Sequence, residues 1–453
     1  MFKIVTSTAF LLLFLFFGAA QGNTFFVPDD YSSIQAAIDA SDDGDVILVW
    51  PGRYLENIGF NGKAITLRST NEASQTVIDG NQLDTVVNMG GSARGKAVLD
   101  GFTITNGLSG PHVAGVNCLG NAELRNNIIT GNISGGGAGG IYAYDESGSN
   151  TLVYNTLIFD NETGTYGGGM YVNIGNNSTV DIQFCTISHN TSGWEAGGAI
   201  CFNASHVGSN TRLRIENSII WGNTSTPPTY VGSQINMVNQ HCDLSLSYSD
   251  LEHGRNFINN YNGGPISYGP GMIEVDPEWT SSDFGYYYLD QQSSPCIDRA
   301  NPAFTVPREE QGPGMFTDTT TSPDNSLDVG PADMGYHHCQ PIFEISSVFP
   351  DPPVAGQWAT FSAEKGLPNE PTFLACSLDG VWWPSPPQTY VPQLNVWLWL
   401  KKPKQAGGLE MTDLDGHAEW TLPIPGAAAG LTVWFQAVQY ENPTLWWFKI
   451  TIQ

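Results

Sequence analysis

"SGGGAGGIYAYDESGSNTLVYNTLIFDN" occupies Ser134–Asn161. It is crowded with glycine, asparagine and β-branched residues, carries little charge and has no helical period. Its neighbours repeat it. "GGIYAY" starts at Gly139, "GGMYVN" at Gly168 and "GGAICF" at Gly197, at spacings of 168 − 139 = 29 and 197 − 168 = 29 residues. A second strand-like run closes on asparagine at Asn132, Asn161, Asn190 and Asn223, spaced 29, 29 and 33 residues apart. An earlier turn, "LDGFTITNG", lies 25 residues ahead, counted from Ile104 to Ile129. A fixed period of this length signals a solenoid. The units hold only short β-type runs between Gly/Asn turns, so the solenoid is built of β-strands.

In such a stack each coil pairs with the next at about 4.8 Å, and equivalent residues form ladders. Ile129, Ile158, Ile187 and Ile220 are expected to form an inner ladder. Asn126, Asn155 and Asn217 form another, broken by Phe184. Cys118, Ala143, Val172 and Cys201 are expected at one inward position. The flanking positions then face out: Tyr142 and Tyr144, Tyr171 and Asn173, Ile200 and Phe202. Cys118 and Cys201 stand three coils apart, about 14 Å at that strand spacing, too far for a disulfide.

Several segments carry a resemblance. "FVPDDYSSIQAAIDASDDGDVILVWPGRYLENIGFNGKAITLRS" (Phe26 to Ser69) resembles the opening segment of bacterial secreted right-handed parallel β-helix proteins of the pectate-lyase-like superfamily. "VIDGN", "LDGFTITNG", "GMIEVDPEW", "YYYLDQQSSPCIDRANP" and "ADMGYHH" fit the same pattern. The Gly-Gly and Asn-ending repeats also look like those of polymorphic outer-membrane proteins and adhesins. The resemblance implies a fold, not an activity, because the superfamily holds lyases, hydrolases, epimerases and proteins of other roles. "YSSIQAAIDAS" reads as a short amphipathic helix that plugs the open end. Ser32 and Gln35 form its expected capping box, and Ile34, Ala37 and Ile38 its buried face.

The domain plan follows. Residues 1–22 ("MFKIVTSTAFLLLFLFFGAAQG") read as a secretory signal peptide cut near Ala20 or Gly22. The protein is therefore expected to be secreted or at the cell surface, without membrane insertion. Residues 23–339 are the expected right-handed parallel β-helix with its helical cap. Residues 340–453 begin in the Pro-rich "FPDPPVAGQ" and alternate in short strands, as expected of an Ig-like antiparallel β-sandwich. Together these make an all-β protein. Nine of the 13 tryptophans fall in this last part, with Trp382 and Trp383 the candidate exposed pair.

Charge narrows the partners. Lys+Arg number 17 against 44 Asp+Glu, a net charge of −27. Such a chain repels nucleic acid, anionic membranes and polyanionic substrates, unless a cation bridges the last.

Candidate chemistry clusters on outward positions. The aromatics Tyr142, Tyr144, Tyr171, Trp194 and Phe202 are either a sugar platform or a ladder covered by a loop. The adjoining loops offer Asp160, Glu162, His189 and Glu195 as catalytic candidates. Asp160 and His189 are ladder-equivalent (189 − 160 = 29), and a carboxylate beside an imidazole suits acid–base work. Glu162 and Glu195 are the candidate carboxylate pair of a glycosidase. The Arg/Lys cluster of a uronate lyase and the Asp-pair and Gly-His-Gly pattern of a polygalacturonase-like hydrolase are both missing. A second outward face carries Glu123, Arg125, Tyr154, Asp181, Gln183, Arg214 and Glu216, with Asp181 beside Arg214. Asp318, Asp324 and Asp328, with Asn325, are candidate oxygen ligands for calcium.

Asn132, Asn161, Asn190, Asn203 and Asn223 head Asn-x-Ser/Thr triplets, read as turn chemistry rather than glycosylation. Of the seven cysteines, Cys296 and Cys339 are the expected disulfide, with Cys376 a competing partner. The sequence thus supports an exported, carbohydrate-interacting β-helix whose partner is a polysaccharide or cell-surface glycan. If catalytic, it is a polysaccharide lyase or glycoside hydrolase. The alternative is a non-catalytic adhesive or structural surface protein.

Overall fold

The structure is a computed structural model. It describes residues 22–71, 73–90, 95–193, 197–204, 211–226, 234–260, 262–282, 285–303, 319–321, 332–339, 344–349, 353–364, 371–378, 389–391, 396–398, 400, 402, 404–411, 418–439, 442–443 and 448–452. The segment read as a signal peptide lies outside them except for Gly22. The chain divides into two compact units, Met1–His338 and Cys339–Gln453.

The first unit is a parallel β-helix. One coil shows the path: Val116–Leu119, Ala122–Arg125, Ile128–Thr130, Ile133–Ser134, then a Gly-rich loop back to Ile141–Ser147. Stacking these strands gives four sheets. Sheet A has ten strands and includes Ala122–Arg125. Sheet B has eight and includes Ile128–Thr130. Sheet C has eight and includes Val116–Leu119 and Ile141–Ser147. Sheet D has five two-residue strands and includes Ile133–Ser134.

The expected isoleucine ladder is present in sheet B. Ile104, Ile129, Ile158, Ile187 and Ile220 are in register and fully buried. Burying one such side chain contributes about 1.5–3 kcal/mol, and the column supplies one per coil. The corner between sheets A and B is made by residues at positive φ. Asn126 (54°), Asn155 (43°), Phe184 (52°) and Asn217 (55°) occupy it in successive coils. Asparagine tolerates this left-handed region. Phe184 does so while buried edge-on against Tyr154 and His337.

The corner between sheets B and D holds a longer amide ladder. Asn132 Nδ2 donates to Asn161 Oδ1 at 2.9 Å, Asn161 to Asn190 at 3.0 Å, and Asn190 to Asn223 at 2.9 Å. Each oxygen also accepts the backbone N–H of the preceding asparagine in the ladder. All four side chains are buried, so the triplets they head serve the corner.

The helix Ile34–Ala40 closes one end, burying Ile34, Ala37 and Ile38. Its cap differs from the expected box by one residue. Ser33, not Ser32, accepts the N–H of Ala36. Gln35 turns its amide to Gly59, and Glu56 takes the free N–H groups of Ile34 and Gln35. A carboxylate from the next coil thus satisfies two of the first-turn donors that a helix leaves open.

Beyond the last coil the chain doubles back over the outside. The hairpin Trp279–Ser282 with Gly285–Leu289, and the segments around Cys296 and Met334, cover part of sheet B. Tyr336 N donates to Thr186 Oγ1 and His337 N to Asn155 Oδ1, which fastens the return strand to the A–B corner. Cys296 is a buried free thiol, not half of a disulfide. Its Sγ donates to Asp250 Oδ2 at 3.4 Å, because the return segment packs it against sheet B.

The second unit is antiparallel throughout its described strands. Trp358–Glu364 pairs with Glu344–Phe349 and Ala418–Pro423, and Pro371–Ser377 pairs with Lys404–Met411 and Thr432–Gln439. Phe361, Leu374, Trp420, Phe435 and Ala437 form its core. Trp382 and Trp383 lie outside the described residues. No helix among the described residues is long and apolar enough to cross a membrane.

Candidate functional site

Sheet C presents two outward columns. The first runs Asn88, Asn117, Tyr142, Tyr171, Cys201 and Asn236, and the second Leu119, Tyr144, Asn173 and Asn203. The inward column between them is Cys118, Ala143, Val172 and Phe202. Phe202 is therefore a core residue, fully buried, and not a surface aromatic. The reason is one extra residue: Thr163 pairs with Ser192, 29 residues on, but Met170 pairs with Ile200, 30 on. The added residue shifts the strand by one, which exchanges its two faces. Cys201 accordingly moves to the outward column, covered beside Asn236.

Tyr142, Tyr144 and Tyr171 face out as expected. Tyr142 stacks on Tyr171 with centroids 5.2 Å apart and on Tyr144 at 5.8 Å. Tyr166 joins them, 5.0 Å from Tyr171 and inclined by 25°. Tyr166 was missed in the sequence. It belongs to the loop, and the glycine run Gly167–Gly169 that follows it turns the chain back onto the strand. Gly167 adopts a φ of 58° there.

Amides extend the stack. Asn173 Nδ2 donates to the Tyr142 hydroxyl at 3.2 Å, Asn203 Nδ2 to Asn173 Oδ1 at 3.1 Å, and Asn239 Nδ2 to Asn203 Oδ1 at 2.7 Å. These bonds fix which way each amide points. Burial pushes the Tyr142 and Tyr171 hydroxyls above their ordinary range, against the pull of the Asn bonds, so both are neutral donors near neutral pH. The two columns contain no charged residue among the described side chains. The face therefore offers flat aromatic area, neutral hydroxyls and oriented amides.

Asp160 and His189 lie elsewhere on the coil. Both sit at the B–D corner at positive φ, 51° and 53°, in adjacent coils, as their spacing predicts. Both are exposed. Ser188 Oγ donates to Trp221 O at 2.8 Å, so it accepts from His189 Nδ1–H at 2.7 Å. The Tyr287 hydroxyl, from the returning hairpin, lies 3.0 Å from the same nitrogen. Burial and the Asp160 charge push Tyr287 up to about 12. His189 is thus held against Tyr287 of the hairpin, whose ring packs in turn on Phe159 and Trp279. Glu162 is exposed on sheet D. The coil brings Asp160 and His189 together, but it separates them from the tyrosines by the strand of sheet D and the loop after it. Trp194, Glu195, Asp318, Asp324 and Asp328 lie outside the described residues. Among the described residues no group of three His, Cys, Asp or Glu side chains is placed to hold a metal ion.

A family model described as a right handed beta helix region matches residues 63–246. No curated protein matches the chain. The matched stretch contains the whole tyrosine and asparagine face from Asn88 to Asn239, and the first unit carries a right-handed parallel β-helix.

Proposed function

We propose that this chain is an exported carbohydrate-binding protein that holds a neutral polysaccharide on the outer face of sheet C. The observation that carries this reading is the continuous stack of Tyr144, Tyr142, Tyr171 and Tyr166, flanked by the Asn173–Asn203–Asn239 amides. Aromatic faces pack on the apolar faces of pyranose rings, and amides and phenol hydroxyls match sugar hydroxyls. Tyr166 is exposed and the other three rings are half-buried, so the stack keeps an outer apolar face open to a ligand. The absence of charge from the two columns favours a neutral glycan, and the absence of a carboxylate there favours holding over cleaving.

Secretion belongs to this reading through the segment 1–22. The second unit is read as an Ig-like β-sandwich module appended to the β-helix. A glycan array tests the proposal. Retention of a neutral polysaccharide, weakened by Tyr142→Ala with Tyr171→Ala, supports it. Retention of no polysaccharide overturns it in favour of a structural or adhesive surface protein.

A further inference from the structure

The second unit holds a space of its own. Side chains of its two main sheets meet in the core, where Phe361 packs on Phe435 with ring centroids 4.6 Å apart. Both rings line a cavity of about 450 Å³. Phe361 and Leu422 come to it from the sheet of Trp358–Glu364 and Ala418–Pro423. Cys376, Ala406, Val433 and Phe435 come from the sheet of Pro371–Ser377, Lys404–Met411 and Thr432–Gln439. Protein interiors hold few gaps larger than a water molecule, so this volume is room for a ligand rather than loose packing. It lies in the range of small-ligand clefts, about 300–1,000 Å³. Leu378 and Leu431 also line the cavity and are 60% and 44% exposed, so it opens to solvent.

The lining narrows the occupant. Among the described residues, no side chain around the cavity carries an oxygen or nitrogen atom, and Cys376 adds only a thiol. A sugar placed there would lose the hydration of its hydroxyls and gain no partner. An alkyl chain has no such cost, and its burial is favourable.

A cation stands beside this apolar space. Lys404 is directly opposite Cys376 in an antiparallel pair, so the two side chains share one face of the sheet. Burial pushes the Cys376 thiol up, and the Lys404 ammonium pulls it back, which shows that the charge reaches the cavity wall. Lys404 is exposed and makes no salt bridge among the described residues. In the sequence, "KKPK" (Lys401 to Lys404) gathers three of the 17 basic residues of the chain within four positions. An apolar cavity beside an uncommitted ammonium group suits an amphiphile with one chain and one acid group.

We infer that this cavity binds a straight-chain fatty acid, its alkyl chain between the two sheets and its carboxylate on Lys404. The site lies in the second unit and is independent of the tyrosine face, which belongs to the first.

Calorimetric titration of the full chain with octanoate, decanoate and decyltrimethylammonium, each below its micelle concentration, tests it. Every added methylene should tighten binding by about fourfold. Decanoate should bind about fivefold more tightly than decyltrimethylammonium, on the scale of a partly exposed ion pair, although the net charge of −27 favours the cation. Lys404→Gln should erase that preference and keep the gain per methylene. Ala427→Phe, at an exposed position of the lining, should fill the cavity and abolish decanoate binding. Both substitutions are at exposed side chains, so the fold remains testable. Affinity that does not change with chain length overturns the inference. So does decyltrimethylammonium binding as tightly as decanoate, or full decanoate affinity in Ala427→Phe. A dimer that Ala427→Phe dissociates in sedimentation and decanoate does not would also overturn it, because a second copy would then fill the cavity.

Discussion

The rings of Tyr142 and Tyr171 lie 5.2 Å apart and within 25° of parallel, one on each of two successive coils. That distance is close to the strand spacing of about 4.8 Å, so the stack follows from the coil repeat itself. Two in-register tyrosines on an outward column cannot avoid facing one another. The resulting ledge is rigid, because each ring is anchored on a strand paired on both sides. Pre-ordering of this kind lowers the entropy lost when a ligand binds.

The first prediction concerns that ledge. Removing one ring should weaken glycan binding by about 1–2 kcal/mol, or roughly tenfold, on the scale of an aromatic contact and its buried area. Tyr171→Ala should cost more than Tyr144→Ala, because Tyr171 is the ring stacked on both Tyr142 and Tyr166. Affinity electrophoresis in polysaccharide gels checks the order. Equal retention of the two variants would show that the stack is not the contact surface.

The asparagine ladder makes a prediction about stability. Asn161 donates to Ile129 O, Phe159 O and Asn190 Oδ1, and its own oxygen accepts from Asn132. Asn161→Ala orphans several buried groups together, at about 1–3 kcal/mol each before relaxation. A net loss of about 3 kcal/mol in urea unfolding is expected. Expression in a glycosylating host should leave Asn132, Asn161, Asn190 and Asn223 unmodified in folded protein, since all four are buried. Peptide mapping that found sugar on Asn161 of folded protein would contradict the ladder.

The glycines of the opening motif carry a third prediction. A Cβ on Gly140 would lie 2.5 Å from the carbonyl oxygen of Gly169 and 3.1 Å from Ile158 Cγ2. The first contact is with backbone of the next coil, which cannot swing aside. Gly140→Ala should therefore destabilise by about 1–3 kcal/mol through overpacking. Gly110 meets nothing within 4 Å, so Gly110→Ala is the control and should leave the urea midpoint unchanged.

What the sequence reveals divides along physical lines. Ile129, Ile158, Ile187 and Ile220 could be placed because each recurs once per coil in one environment. Asp181 and Arg214 were paired correctly for the same reason. Phe202 was misplaced because one residue was added between Ser192 and Ile200, and period-two alternation turns a single insertion into a change of face. Tyr166 escaped because a loop residue has no register. The contact of His189 with Tyr287 spans 98 residues and depends on how the chain doubles back, which leaves no local pattern. Cys296 misled for a related reason. Its place at one end of an irregular segment, with Cys339 at the other, suggested a partner there, whereas the return segment packs this thiol against Asp250.

That thiol–carboxylate contact gives the last prediction. Asp250 is fully buried, and desolvation outweighs its hydrogen bonds from Cys296 and Val275, so its pKa rises to about 7. In the unfolded chain the same group titrates near 3.9. Between those values the folded state holds a proton that the unfolded state has released. Stability from this group is therefore complete below about pH 4 and falls as the pH rises toward 7, by about 4 kcal/mol in all, from about 1.4 kcal/mol per unit. Asp250→Asn keeps the shape and removes the charge. The difference in unfolding free energy between this variant and the parent should move in the variant's favour from pH 4.5 to pH 7.5, a trend that urea titrations at the two pH values measure directly. A difference independent of pH would mean that Asp250 is ionised in the folded protein throughout, and that Cys296 and Val275 suffice to hold its charge beneath the returning hairpin.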